Sequence, residues 1–156
     1  MAEKLVDDQI KKGLKKFSEE VKTDFILILF DEEKKLYEKK VHSIYLDEFS
    51  FFHEFFSKTP MENKIEIKEK GISRISMEII LKCIYIQAVG SFKDEIIPII
   101  LDKVSSEDLV STIFTANYFN FKLLHDSAFQ IIRNNLKEAN IVQIMAKAYE
   151  LNVKIL

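Results

Sequence analysis

One predicted helix is apolar on nearly every side, and it constrains the fold more than any other stretch. The apolar positions of its main face follow the helical repeat in full: Met77, Ile80, Leu81, Ile84 and Tyr85. Its other side carries further apolar residues, Ile79, Cys83 and Ile86. Only Glu78 and Lys82 are left to form a polar side that faces solvent. Burying the main face contributes roughly 7–15 kcal/mol before conformational entropy is subtracted, against about 0.3 kcal/mol for a glutamate–lysine pair. We therefore expect this helix, capped by Ser76, at the centre of the fold, with Cys83 as a buried apolar residue.

Composition places the chain among globular domains of a reducing compartment. Its 156 residues are 47% hydrophobic and 31% charged, which fits one domain with perhaps part of a second at its end. Net charge is −2 with both signs mixed, so nothing favours nucleic acid. Cys83 is the only cysteine, which excludes an internal disulfide. No apolar run reaches the ~20 residues of a membrane span, and the charged N-terminus is unlike a signal peptide. We expect a cytoplasmic or nuclear protein that does not bind membranes.

The N-terminal half predicts a helix followed by a hairpin. An amphipathic helix over residues 3–17 carries one apolar stripe, Val6, Ile10, Leu14 and Phe17. That stripe has no local partner and must pack on the domain or on a second copy. The run FILILF, residues 25–30, predicts a strand buried on both faces, and residues 35–41 predict a second strand after a polar turn.

A phenylalanine-rich segment follows the hairpin. Residues 41–46 and 47–56 predict two short helices, and the second holds more rings than one helix face can bury. Some of these rings must lie near the surface or in an interface. A loop and a short strand, residues 65–67, lead to the central helix.

The C-terminal half predicts helix pairs. The IIPII run at residues 96–100 is either strand-like or a helical turn, and Ser105 with Asp108 predicts a helix start. In LVSTIFTANYFNFKLL the core positions are Leu109, Ile113, Phe114, Ala116, Leu123 and Leu124. Tyr118, Asn120 and Phe121 lie at a polar break and are expected to be exposed. Asn135 with Glu138 predicts a further cap, before a last helix whose apolar stripe makes the sequence look cut from something longer.

No catalytic constellation is present. The three glycines are too scattered for a phosphate-binding loop, and His42, His53 and His125 lie in different elements. We expect no enzyme activity, no cofactor and no metal, with His42 as a structural histidine at a helix start.

The order of elements and six short motifs resemble the BTB/POZ domain. Asp24 with FILILF is similar to its first-strand pattern, and VHSIYL, residues 41–46, to its "AH-x-x-VL". Phe51-Phe52 with Phe56, ENKIEI at residues 62–67, Ile84-Tyr85 and TANYFNFKLL resemble the later motifs. The resemblance implies an α+β fold, with a small, mostly three-stranded sheet, a cluster of helices and an extra N-terminal helix. Residues 135–151 look like the opening of a BACK region.

The resemblance implies a domain organisation and a function. Residues 1–23 would be a dimerisation helix, 24–135 the BTB/POZ domain and 136–156 the start of a truncated BACK-like region. The implied function is that of a homodimerising substrate adaptor for a cullin-RING ubiquitin ligase. The substrate would bind through a region beyond Leu156. The implied dimer interface comprises Val6, Ile10, Leu14, Phe17, Phe25 and His42. The implied surface for a cullin N-terminal region comprises Phe51, His53, Glu54, Met61, Glu62, Tyr118 and Asn120.

Three departures from the family pattern keep alternatives open. Members of the family often have an arginine at the position that Ser43 occupies here. Their hydrophobic-x-Glu loop signature would correspond to Met61-Glu62-Asn63, whose last residue is asparagine instead of glutamate. Ser91–Leu101 looks like an insertion and, with ANYFNFKLLHD, is more like the monomeric Skp-type cullin adaptors. The alternatives are therefore a monomeric Skp-type adaptor or a homo-oligomeric scaffold without a ligase.

Overall fold

The computed structural model describes residues 2–90 and 95–155, with side chains from residue 4 onward. The helices are α1 Ala2–Ser18, α2 Ser43–Leu46, α3 Ser50–Lys58, α4 Arg74–Ala88, α5 Ile96–Leu101, α6 Ser106–Tyr118, α7 Lys122–Asn134 and α8 Ile141–Glu150. The strands are β1 Phe25–Asp31, β2 Lys34–Val41 and β3 Lys64–Ile67. This mixture of helices with one small sheet confirms the predicted α+β class.

The described residues form two compact units. The first takes those within Met1–Lys70 and Leu81–Ile96, and the second those within Gly71–Ile80 and Ile97–Leu156. The first unit therefore holds α1, the sheet, α2, α3 and the C-terminal part of α4, whereas α6, α7 and α8 belong to the second.

The sheet of the first unit is mixed, in the order β2-β1-β3. β1 pairs antiparallel with β2, with Phe25 opposite Val41, and parallel with β3, with Leu27 opposite Ile65. Glu32 closes the β1–β2 turn at a positive φ of 55°. The prediction that β1 is buried on both faces is wrong. Its residues alternate between a buried and a half-exposed face because only one side of the strand is fully covered.

The prediction of a helix that is buried on nearly every side holds for α4. Its residues from Met77 to Ile86 are all buried except Glu78 and Lys82, which are half-exposed as the pattern requires. The predicted cap is wrong by three residues, since α4 begins at Arg74. The Ser73 hydroxyl accepts a hydrogen bond from the Ser76 N–H (3.1 Å), and the Ser76 hydroxyl accepts one from the Ser73 N–H (3.0 Å). Ser76 is itself fully buried and also accepts from the Thr115 hydroxyl at 2.7 Å.

The helices of the second unit follow the sequence closely at α5 and α6. The IIPII run is helical, and Ser105 caps α6 by accepting from the Asp108 N–H. Of the presumed insertion Ser91–Leu101, residues 91–94 lie outside the described part.

The predictions fail around the later helix starts. Phe121, expected at the surface, is 7% exposed, and Leu123, expected in the core, is 38% exposed. Asn120 adopts a φ of 57°, which turns the chain after α6 and rotates the following side chains away from the helical register. The cap predicted at Asn135 is also wrong, because α8 begins only after Asn140.

Candidate functional site

The apolar stripe of α1 packs on α4 of the same chain. Val6, Ile10 and Phe17 are buried and Leu14 is half-buried. Phe17 meets the Tyr85 ring edge-on at 5.4 Å, and the Gln9 side chain donates a hydrogen bond to the Ile86 carbonyl at 3.0 Å. The sequence left open whether this stripe packs on its own domain or on a second copy. In the structure its own chain covers it.

Gly13 sets how closely α1 approaches α4. A Cβ built at Gly13 would lie 2.5 Å from the Ile86 Cα and 2.8 Å from the Ile86 nitrogen. Only a residue without a side chain permits this contact between two helix backbones. The glycine in the middle of the helix therefore has a packing role.

The remaining residues of the implied dimer interface, Phe25 and His42, lie in the same unit. Phe25 is buried at the start of β1, where it meets the Phe56 ring edge-on at 5.0 Å. His42 is half-buried immediately before α2. Of the six residues, Leu14 and His42 are half-exposed and the other four are buried. Phe17 and His42 both contact the Tyr85 ring, whereas Phe25 packs on rings of α3.

His42 ties three segments together. Its Nε2 lies 2.6 Å from the Val21 carbonyl oxygen, which only accepts, so Nε2 carries the proton. Its Nδ1 then accepts from the Tyr85 hydroxyl at 2.7 Å, and the Tyr85 oxygen accepts from the His42 N–H at 2.9 Å. Burial raises the pKa of Tyr85 to about 12, so this hydroxyl stays protonated. The geometry gives His42 a structural role.

Asp24 is held beside this cluster by Ser43. One carboxylate oxygen accepts from the Ser43 N–H at 2.8 Å and the other from the Ser43 hydroxyl at 2.5 Å. Burial by itself raises the pKa of Asp24, but these two hydrogen bonds outweigh it and leave the pKa below its usual value. The pair therefore stabilises the fold above the ordinary pKa of aspartate, and this stabilisation is lost as the pH falls through the lowered value.

The predicted cullin-facing residues of the first unit lie on α3 and the loop after it. Met61 is 94% exposed, His53, Glu54 and Glu62 are exposed, and Phe51 is half-exposed. His53 Nδ1 contacts Asp47 Oδ1 at 3.0 Å, and Glu54 accepts from Lys58 at 2.7 Å, which lowers the pKa of Glu54. Tyr118 and Asn120 are exposed at the α6–α7 break in the second unit.

The phenylalanines of this segment divide as the sequence suggested. Phe52 alone is buried, at 1% exposure, whereas Phe49, Phe51, Phe55 and Phe56 are each half-exposed. Helix α3 is only nine residues long, so one ring fills the core and the others cover its edge.

The first unit also contains a groove that the sequence did not reveal. It has a volume of about 340 Å³ and lies among the start of β1, α2, the end of α3 and the following loop. Ile44, 73% exposed, forms one wall. Helix α2 is four residues long, too short for periodicity to show which of its side chains point outward.

The described residues contain no cluster of metal ligands and no accessible thiol. No group of three or more His, Cys, Asp or Glu among them is placed to hold a metal ion. Cys83 is fully buried, and burial raises the pKa of its thiol to about 12, so it is not a nucleophile. Among the helices in the described ranges, none has the length and apolar content needed to cross a membrane.

Comparisons with known proteins add no family to this description. No protein-family model matches the chain, and no curated protein matches its sequence. The class that the fold defines is an α+β domain with a three-stranded mixed sheet.

Proposed function

We propose that this chain is a BTB/POZ-type interaction domain that serves as a substrate adaptor for a cullin-RING ubiquitin ligase in the cytoplasm or nucleus. The observation that carries the proposal is the order of the elements. A helix and a hairpin are followed by two short helices, and β3 then returns to pair parallel with β1. The central helix and the helix pair of α6 and α7 follow. The motifs that resemble the family occur in this same order along the chain.

The exposed residues of α3 and its loop support an interaction role. Met61 presents nearly its whole side chain to solvent between the exposed Pro60 and Glu62. An exposed methionine makes no contribution to the core and is a common element of binding surfaces. The proposed cullin surface of the first unit is centred on this residue.

A retention experiment with the N-terminal regions of several cullins tests the adaptor proposal. We expect immobilised wild-type chain to retain at least one of them. Met61→Asp should reduce retention by about tenfold or more, because it places a charge where an apolar contact is proposed. Val142→Asp, at a residue 75% exposed on α8, is the matched control and should leave retention unchanged. Absence of retention with every cullin would refute the adaptor role. Equal loss in both variants would refute the binding surface centred on Met61.

The oligomeric state separates the leading proposal from its alternative. Because α1 covers its apolar stripe on its own α4, a homodimer that uses this stripe would have to exchange α1 between copies. The same covering favours the second candidate, a monomeric Skp-type adaptor. Both candidates share the proposed cullin surface and differ in what α1 does.

Sedimentation of the full chain and of a version without residues 1–20 distinguishes these candidates. For the homodimer we expect the full chain to sediment as a dimer and the shortened version as a monomer, because the exchanged helix is gone. If both species sediment as monomers, homodimerisation is wrong and the Skp-type adaptor is left. The central-helix core should keep the shortened version folded, which its circular dichroism spectrum checks.

A further inference from the structure

We propose that the groove of the first unit binds a short basic peptide segment in which arginine or lysine alternates with apolar residues. The groove is lined by three carboxylates, Asp24, Asp47 and Glu62, and by no lysine or arginine among the residues that the structure describes. Its volume of about 340 Å³ is that of a small ligand site, large enough for a few side chains. This surface goes beyond the proposed cullin contact, with which it shares only Glu62.

Apolar side chains supply the inner surface of the groove. The rings of Phe25 and Phe56 pack edge-on with their centroids 5.0 Å apart, and Pro60 also lines the groove. Ile44 leaves 73% of its side chain exposed on the wall. Such a surface accepts leucine-like side chains and the aliphatic stem of an arginine or lysine, whose charged group then reaches the rim.

The three carboxylates differ in how far they are already engaged. Both oxygens of Asp24 accept from Ser43, and one oxygen of Asp47 lies 3.0 Å from the His53 ring. Glu62 is exposed and has no side-chain partner among the described residues. Asp47 and Glu62 therefore retain acceptor capacity for a guanidinium or ammonium group.

The arrangement favours a peptide over other cationic ligands. The three carboxylates do not form a group that could hold a metal ion. Nucleic acids and anionic lipid surfaces would be repelled by the acidic rim. A peptide with alternating basic and apolar side chains satisfies both the apolar wall and the charged rim at once.

Fluorescence polarisation with the full chain tests this proposal. The probe is a fluorescein-labelled hexapeptide of alternating arginine and leucine, compared with its glutamine–leucine and glutamate–leucine counterparts. We expect saturable binding of the arginine peptide, about tenfold weaker binding of the glutamine peptide and none of the glutamate peptide. Binding should weaken as salt is raised, because exposed charges are screened.

Two variants and two matched controls locate the binding. The double variant Asp47→Asn and Glu62→Gln should weaken arginine-peptide binding about tenfold. Glu32→Gln with Glu33→Gln removes the same charge at the exposed β1–β2 turn and should have no effect. Ile44→Ser should weaken binding, whereas Val142→Ser, also at an exposed apolar residue, should not.

All four variants change exposed residues, so each is expected to fold like the wild type. Equal weakening by the groove and turn variants would mean that the peptide binds any acidic surface. That outcome, or the absence of saturable binding to the wild type, would overturn the proposal. Loss of peptide binding in Ile44→Ser with cullin retention unchanged separates the groove from the adaptor function.

Discussion

Gly13→Ala should lower the free energy of unfolding by about 2 kcal/mol, although alanine is the better helix former. The new Cβ would lie 2.5 Å from the Ile86 Cα and 2.7 Å from its Cγ1, so α1 must move away from α4. Overpacking of this kind costs about 1–3 kcal/mol, and a clash with backbone lies at the upper end of that range because backbone cannot rotate away. The helix-propensity gain of about 1 kcal/mol offsets only part of it. Denaturant unfolding followed by circular dichroism measures the difference.

Gly90→Ala is the matched control for this variant. A Cβ at Gly90 would meet only the far end of the flexible Gln9 side chain, with the nearest atom at 2.9 Å. The glutamine can move aside at the cost of its hydrogen bond to the Ile86 carbonyl, so we expect a loss of at most about 1 kcal/mol, smaller than that of Gly13→Ala. Equal stability of Gly13→Ala and the wild type would contradict the close packing of α1 on α4. If α1 exchanges between copies, the same contact forms between chains, and Gly13→Ala should weaken the dimer as well.

Phe52→Ala should lower the free energy of unfolding by about 3–5 kcal/mol, which is more than the loss expected for Gly13→Ala. Phe52 is 1% exposed and lies against the rings of Phe51 and Phe56. Its removal loses the burial of a full aromatic side chain and leaves a cavity that the short helix α3 cannot close. Thermal and denaturant unfolding should both show the loss.

The neighbouring Phe51→Ala separates stability from binding. Phe51 is half-exposed, so the same change should cost at most about 1 kcal/mol. It belongs to the proposed cullin surface, and we therefore expect Phe51→Ala to fold but to lose cullin retention. Similar destabilisation by both substitutions would mean that the two rings share the core equally, against the burial that the structure shows.

The elements with strong local signals were predictable. The apolar pattern from Met77 to Ile86, the hairpin after FILILF and the cap at Ser105 each depend on residues close in sequence. Periodicity and capping act through neighbouring positions, so the sequence records them directly. The same holds for α1, whose stripe predicted its buried face.

Other features of the fold depend on contacts with residues that are distant in the sequence. Ser76 looked like a cap, yet its hydroxyl is buried against Thr115, 39 residues further along the chain. Phe121 is buried and Leu123 is exposed, the reverse of what was expected, because the positive φ of Asn120 changes the direction of the chain. The acidic groove combines residues from positions 24 to 62, whose proximity no local pattern records.

The sequence by itself determined the α+β class, most of the helical and strand segments and the burial of α4 on nearly every side. Only the tertiary structure decided that α1 covers its stripe on its own chain, that β1 is fully buried on one face and that Ile44 lines a groove. The physical reason is that an apolar face requires burial but does not specify its partner. The partner is chosen by packing between segments distant in sequence, as Gly13 against Ile86 illustrates.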